Sequence, residues 1–341
     1  MRFGVGIGVG VLVALALLEA LFQALPVSSG ARMEETSSAK AFARYLPRER
    51  YVYSHGWAFL NARSGTTNNQ GFTNSPDFAG HGGVLVIGDS YIESLMLDYS
   101  ETVQGRLGLA FGGKAYAASA SSNGLADSLK IAEFYLPQLR PTSIVFFVEP
   151  YDLHGLTAPP PRGHSGFVDV DGVVSTVHNE YKESSLKHIV QKSALVRYLY
   201  YNLKFSEWLS KSVRLGRAPE VALENRDAAL KERVLKYYFS ELRTLTGAIR
   251  TEVVFLMDGD RKAIYRATQV EKPAWNMEDR KLFQRMASNY GFNVVDMQPV
   301  FESHWAQRHE RMDFLPADGH WNPVAHALAS EEILKRLRPG S

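Results

Sequence analysis

Hydrophobic positions change their pattern three times along the chain. From Phe3 to Leu25 they form an almost unbroken run, interrupted by Glu19 and Gln23 and preceded by Arg2. About 20 mainly apolar residues suffice to cross a bilayer, so residues 1–30 are expected to hold a membrane anchor. Small residues between Ala24 and Ala31 also fit a cleavage site, which keeps a signal peptide as the alternative. Arg2 precedes the run and Arg32, Lys40, Arg44, Arg48 and Arg50 follow it, so charge asymmetry leaves the orientation open. Signal-anchor logic points the bulk of the chain outward, to a periplasm or beyond the cell.

Residues 31–80 are polar and dotted with aromatics, with turn chemistry at Asn68-Asn69-Gln70-Gly71. This lead-in is expected to pack on the core. From residue 81 onward, short apolar runs rich in β-branched residues alternate with longer segments of helical spacing. Strands are expected at 84–88, 114–117, 143–148, 252–257 and 293–297, and helices at 92–110, 124–136, 225–247 and 277–290. A last helix starts at Pro323, with Ala325, Leu328, Ala329, Ile333 and Leu337 on one face. Such alternation predicts an α/β domain over 81–341 with a mainly parallel sheet under covering helices.

An insertion at about 155–247 breaks the alternation. It opens with the stiff run Thr157 to Gly163, which holds Pro159, Pro160 and Pro161, and continues as a hairpin over 167–174 turning at Asp171-Gly172. Residues 184–213 read as an aromatic helix with Tyr198, Tyr200, Tyr201, Phe205 and Trp208. Burial of such rings in the core is the ordinary expectation. Stacking on sugar or contact with a membrane are the alternatives.

Composition narrows the chemistry. The 341 residues, 45% of them hydrophobic, supply one sizeable core. There is no cysteine, hence no disulfide and no thiol nucleophile. A net charge of +2 without a basic stretch argues against nucleic acid. The ten histidines show no metal-ligand spacing, and neither a His-Glu-x-x-His nor an acidic calcium loop occurs. No metal and no organic cofactor is expected.

Two short segments carry chemistry. Val84-Leu85-Val86-Ile87 runs into Gly88-Asp89-Ser90, which sets a serine at the carboxyl end of a buried strand, where ligands of parallel sheets bind. Near the other end, Asp318-Gly319-His320 precedes Trp321-Asn322-Pro323. Side chains two apart in an extended stretch share a face, so Asp318 can orient His320, and His320 can take the proton of Ser90. Taken alone, Asp89 and Ser90 read equally well as a helix cap, as does Asn322. Asp152-Leu153-His154 has the same spacing and competes as the acid–base pair, although it leads into the proline run. Asp258-Gly259-Asp260-Arg261 follows another strand and either borders the cleft or forms a turn with a salt bridge.

The order and separation of Gly88-Asp89-Ser90 and Asp318-x-His320-x-Asn322 resemble the SGNH, or GDSL, hydrolase superfamily. The resemblance implies a flavodoxin-like three-layer α/β/α fold with Ser90 as nucleophile, His320 as base and Asp318 as its partner. It implies esterase or O-acetyltransferase activity on glycans, with an acyl ester or polysaccharide as substrate. The close Asp-x-His spacing resembles the branch of membrane-anchored alginate O-acetyltransferases, whose acyl donor would come through a membrane acyltransferase partner. Two blocks depart from the family pattern. A glycine of the second block is replaced by Ser122 or Ser119, and the asparagine of the third is missing from Glu149-Pro150-Tyr151-Asp152. Asn123 and the Tyr151 hydroxyl stand as substitutes for the oxyanion donor. The missing asparagine also motivates an alternative in which the chain is a catalytically idle glycan-binding or scaffold module. A lipase-like carboxylesterase is a further alternative.

Overall fold

The computed structural model describes residues 2–205, 228–265, 274–315 and 318–337. In chain order its strands are β1 (Arg50–His55), β2 (Leu60–Thr66), β3 (Val84–Gly88), β4 (Ala115–Ser119), β5 (Ser143–Val148), β6 (Ser165–Val170), β7 (Val173–His178), β8 (Glu252–Met257), β9 (Asn293–Asp296), β10 (Asp313–Leu315) and β11 (Asp318–Trp321). Its helices are α1 (Arg2–Ala24), α2 (Ser90–Glu93), α3 (Val103–Ala110), α4 (Leu125–Leu139), α5 (Pro150–His154), α6 (Ser185–Val190), α7 (Ala194–Arg197), α8 (Ala228–Ile249), α9 (Arg261–Tyr265), α10 (Met277–Asn289), α11 (Met297–Arg308) and α12 (Pro323–Arg336).

The chain divides into two compact units. One comprises residues 1–32, 48–66 and 182–222, and the other 33–47, 67–181 and 223–341. The lead-in is therefore shared: Phe42 and Phe72 join the core of the larger unit, while β1 and β2 pair as an antiparallel hairpin in the smaller one.

A five-stranded sheet in the order β4-β3-β5-β8-β9, parallel throughout, organises the larger unit. Counted along the chain this is the order 2-1-3-4-5, the doubly wound arrangement of flavodoxin-like folds. It is the α/β/α architecture expected from the alternation. Every residue of β3, β4 and β5 is buried, because helices cover both faces. Alternate residues go to opposite sides: Leu85, Ile87, Ile144 and Phe146 join one core, Val84, Val86, Val145 and Phe147 the other. The first core also takes Leu129, Tyr135 and Leu136 of α4 with Tyr238, Phe239 and Leu242 of α8. The second takes Phe301 of α11 and Ala325, Ala329 and Ile333 of α12.

Strands β5 and β8 occupy the expected residues and β4 extends two residues beyond its expected end, while several helices differ. The single helix expected at 92–110 is broken: α2 ends at Ser94, which is left-handed at φ 43°, a one-turn 3-10 helix spans Tyr99–Glu101, and α3 starts afresh after Thr102. The Thr102 hydroxyl accepts the Gly105 N–H at 3.2 Å, so a capping residue beats a weak apolar period. Strand β9 ends at Asp296, whose carboxylate accepts the Gln298 N–H at 2.8 Å and opens α11, a helix absent from the sequence reading. Pro299 in its first turn had masked it, although proline is tolerated there. The aromatic helix expected at 184–213 is interrupted as well. The described part gives α6, α7 and a π-helical turn at Tyr198–Asn202, and Trp208 lies outside the described residues.

Helix α1 holds one segment, Ile7–Ala24, long and apolar enough to cross a membrane, and none of its residues is fully buried. A signal sequence meets the same description.

Candidate active site

Strand β3 must stop abruptly to present Ser90. A Cβ on Gly88 would lie 2.5 Å from Ile92 Cγ1 and 3.0 Å from Phe147 Cβ, so only glycine lets α2 fold back this closely. Asp89 then caps α2, its carboxylate accepting the Tyr91 N–H at 2.9 Å, and Ser90 becomes the first helical residue.

The hairpin β10–β11 brings the distant segment to the same place. His320 Nε2 lies 2.9 Å from Ser90 Oγ. Its Nδ1 lies 2.5 Å from Asp318 Oδ1, which also accepts the His320 N–H at 3.0 Å. Asp318, His320 and Ser90 thus form one hydrogen-bonded chain that joins residues 230 positions apart in sequence, Ser90 and His320. With Nδ1–H donating to Asp318, Nε2 is left as the acceptor for the Ser90 hydroxyl.

Several residues hold that hairpin, and the sequence had not singled out most of them. The Tyr91 hydroxyl donates to the Gly319 carbonyl at 3.0 Å, and its ring stacks on Phe147 at 5.1 Å. Arg261, at the start of α9, donates to that same carbonyl, to Asp258 Oδ1 and, at 2.8 Å, to Asp313 Oδ1. Asp258 Oδ1 further accepts the Trp321 indole N–H at 2.8 Å. The tetrapeptide 258–261 therefore forms the turn with a salt bridge, and through it supports the hairpin. Burial pushes the Asp258 carboxyl up, and the Arg261 charge beside it pulls it back.

The loop after β4 forms the opposite wall. Ser122 is left-handed at φ 69°, a backbone region that favours glycine. Asn123 donates from Nδ2 to the Gly88 carbonyl at 3.2 Å, tying the loop to the exit of β3. Buried Glu93 fastens the loop from behind: Ser121 Oγ donates to Oε2 at 2.5 Å and the Tyr45 hydroxyl donates to Oε1. Ser119 is fully buried at the end of β4.

Beside Ser90 and this loop lies a cavity of about 470 Å³ lined by Ser90, Ser122, Asn123, Tyr151 and Phe167 together with the prolines 159–161. The insertion therefore closes one side of it. Asp89, Asp127, Glu149 and Asp152 also line it, and among the described residues no Lys or Arg does. Burial raises the Asp89 carboxyl well above its ordinary range, and the charges of Glu149 and Asp152 raise it further. Burial likewise raises Glu149, and burial with the Glu149 charge raises Asp152. Packing like charges in a dry place leaves protonation as the relief.

The competing pair is used otherwise. Asp152 Oδ2 accepts the Glu149 N–H at 2.8 Å and so caps α5, while the His154 ring meets Tyr151 edge-on at 6.4 Å. Tyr151 itself is 75% exposed. His320 is the imidazole that reaches Ser90.

Fold and site together define an α/β protein with a Ser–His–Asp chain at the carboxyl edge of a parallel sheet. No protein-family profile matches the chain. No curated protein matches it either. Solved structures similar to it include a candidate SGNH hydrolase from Slackia heliotrinireducens, at 11% identity over 76% of this chain and 98% of that one, with a TM-score of 0.38. An acetyl xylan esterase aligns over 74% of this chain and 99% of its own at 11% identity, with a TM-score of 0.41. A catalytic mutant of an acetylxylan esterase from Geobacillus stearothermophilus aligns over 75% and 93% at 11% identity, with a TM-score of 0.38. At these values none of the likenesses assigns chemistry to this chain.

Proposed function

We propose that the protein is a serine esterase or O-acyltransferase of the SGNH type, working through an acyl-Ser90 intermediate. One observation carries the reading: Ser90 Oγ, His320 Nε2, His320 Nδ1 and Asp318 Oδ1 lie in sequence at 2.9 and 2.5 Å beside an open cavity. His320 takes the Ser90 proton as Oγ bonds to the ester carbonyl carbon. Asp318 stabilises the resulting imidazolium. The carbonyl oxygen becomes an oxyanion, with the N–H groups of Ser90 and Ser122 as its donors and the Asn123 side chain fixing their separation. Collapse breaks the ester C–O bond, and the leaving alcohol takes the proton from His320. Water or a sugar hydroxyl then repeats the steps in reverse order, giving hydrolysis or transfer.

The acceptor we favour is an uncharged glycan. Four acidic side chains and, among the described residues, no Lys or Arg line the cavity, which leaves an anionic polymer such as a uronate without a counter-charge, and the exposed Tyr151 ring offers a face for a sugar. Helix α1 would hold the enzyme on the outer side of a cell membrane, with the acyl donor delivered by a membrane acyltransferase. No cofactor enters the steps.

Intact-mass spectrometry of the protein after incubation with p-nitrophenyl acetate tests the chemistry. The acetyl adduct is expected to require Ser90 and to form far more slowly in His320→Ala. Folded protein that neither gains acetyl nor releases nitrophenol would instead favour the glycan-binding scaffold. A preference for long acyl chains in an ester series would favour the lipase-like reading.

A further inference from the structure

The smaller unit carries an apolar surface that the acyl chemistry does not use. Its organising contact lies near the carboxyl end of α1, where Glu19, Phe22 and Gln23 share one helical face at spacings of three and four. Glu19 accepts the Ser193 hydroxyl at 2.7 Å, the Ala194 N–H at 2.8 Å and the Leu195 N–H at 3.0 Å. Gln23 Nε2 donates to the Lys192 carbonyl at 3.0 Å, and the Phe22 ring stacks on Tyr198 at 4.4 Å. The Tyr198 hydroxyl donates in turn to the Trp57 carbonyl at 3.1 Å, which brings in the β1–β2 turn. Glu19, an odd residue in an apolar run, thus accepts the first two N–H groups of α7 beside its N-cap Ser193.

These bonds fix the level of the segment relative to the apolar helix. The apolar window ends at Ala24. At 1.5 Å per residue, Glu19 to Gln23 occupies roughly the last 8 Å of a stretch about as long as a bilayer core. With α1 as a span, segment 192–203 and the turn at residue 57 would stand where hydrocarbon gives way to headgroups. At that level Trp57 is 76% and Tyr200 55% exposed, with Leu60, Val196, Leu199 and Leu203 exposed around them. Lys192 is exposed on the same segment and Lys204 just beyond it. Aromatic rings, aliphatic side chains and lysines at one depth are what the boundary between acyl chains and anionic headgroups accommodates.

We propose that Trp57, Tyr200 and the apolar residues around them enter the headgroup layer of the bilayer that α1 crosses, so that an interfacial collar joins the span in holding the protein to the membrane. The proposal rests on α1 being retained as a span. It accounts for an exposed apolar surface that would otherwise face water.

Because the chain has no cysteine, single labels are free of background. Full-length Leu12→Cys, Trp57→Cys, Leu60→Cys, Tyr200→Cys and Leu109→Cys variants would carry a nitroxide in vesicles of phosphatidylcholine and phosphatidylglycerol. Collisions with oxygen and with a water-soluble nickel chelate report depth. Labels at 57, 60 and 200 are expected at the headgroup boundary, at 12 deep in hydrocarbon and at 109 in water. Labels at 57, 60 and 200 as open to nickel as the one at 109, with 12 still deep, would overturn the collar and leave the span. A label at 12 that is aqueous, or lost with a cleaved peptide, would overturn both. Labels at 57 and 200 shielded from both reagents would also overturn the collar, because a protein partner would then cover the surface.

Discussion

Arg261 donates a guanidinium hydrogen bond to the carbonyl of Gly319, the residue between Asp318 and His320. The same guanidinium bridges Asp258 and Asp313, so a buried three-charge cluster holds the hairpin that delivers the imidazole to Ser90. Burial alone would oppose the Arg261 charge, but its two carboxylates and the Tyr91 hydroxyl outweigh that and hold it firmly protonated.

Removing Arg261 leaves Asp258 without its cation and Asp313 with Arg311 alone. Arg261→Met is expected to cost about 3 to 5 kcal/mol, as breaking buried ion pairs does. Arg261→Lys keeps the charge but loses the fork that reaches four acceptors, Asp258, Asp313, the Gly319 carbonyl and the Tyr91 hydroxyl, so a smaller stability loss should accompany a roughly 10- to 100-fold fall in kcat if misplacement governs the chemistry. Urea unfolding beside p-nitrophenyl acetate kinetics separates the two effects. An unchanged kcat in the lysine variant would show that the hairpin holds its place without the fork.

Ser122 occupies left-handed backbone space at φ 69° with its side chain exposed. Ser122→Gly removes the Cβ conflict and is expected to raise stability by about 1 kcal/mol. The backbone N–H is retained, so kcat should stay within about twofold if that N–H, rather than the hydroxyl, faces the oxyanion.

Asp152 is buried near Glu149 and Asp127, and its folded pKa is raised. A raised acid holds its proton in the fold when the unfolded chain has already released it. Its contribution is therefore fully present below the unfolded pKa and is lost as pH rises toward the folded one. Asp152→Asn keeps an oxygen for the Glu149 N–H and removes this dependence. Its stability relative to wild type should climb from pH 4 upward, by up to about 1.4 kcal/mol for each pH unit. A gap that stays flat between pH 4 and 8 would contradict the raised pKa.

His326 acts in the opposite sense. It is fully buried, its Nε2 3.1 Å from Ser94 Oγ and its Nδ1 accepting the Val103 N–H at 3.2 Å. Burial lowers its pKa to about 3. Below about pH 6.5 the unfolded chain takes a proton that the fold refuses, so stability should fall as pH drops from there toward 3. The slope approaches about 1.4 kcal/mol per pH unit. Denaturation of His326→Gln, compared with wild type at pH 7 and pH 5, should show the deficit of the variant shrinking in acid.

How much of the site the sequence disclosed follows from where each signal sits. Ser90 was legible because it ends an apolar run, and Asp318 and His320 because they lie two residues apart just before the Pro323 helix start. The sheet was legible for a similar reason, since β3, β5 and β8 are buried on both faces and read as unbroken apolar strings. Helix α11 was hidden by its early proline and weak apolar period. Hairpin β1–β2 was hidden because it alternates polar residues and covers no large core.

The sequence by itself determined the α/β class, the apolar N-terminal segment and the three residues that could form a proton chain, because burial and spacing act locally along the backbone. Only the tertiary structure decided that His320, rather than His154, reaches Ser90, and that Arg261, Tyr91 and Glu93 hold the pieces in place. It also decided that four carboxyls share one cavity and that Glu19 accepts the first two N–H groups of a helix far along the chain. Those outcomes depend on which surfaces meet when the sheet closes, and residues separated by more than a hundred positions carry no mutual signal until packing brings them within hydrogen-bond distance.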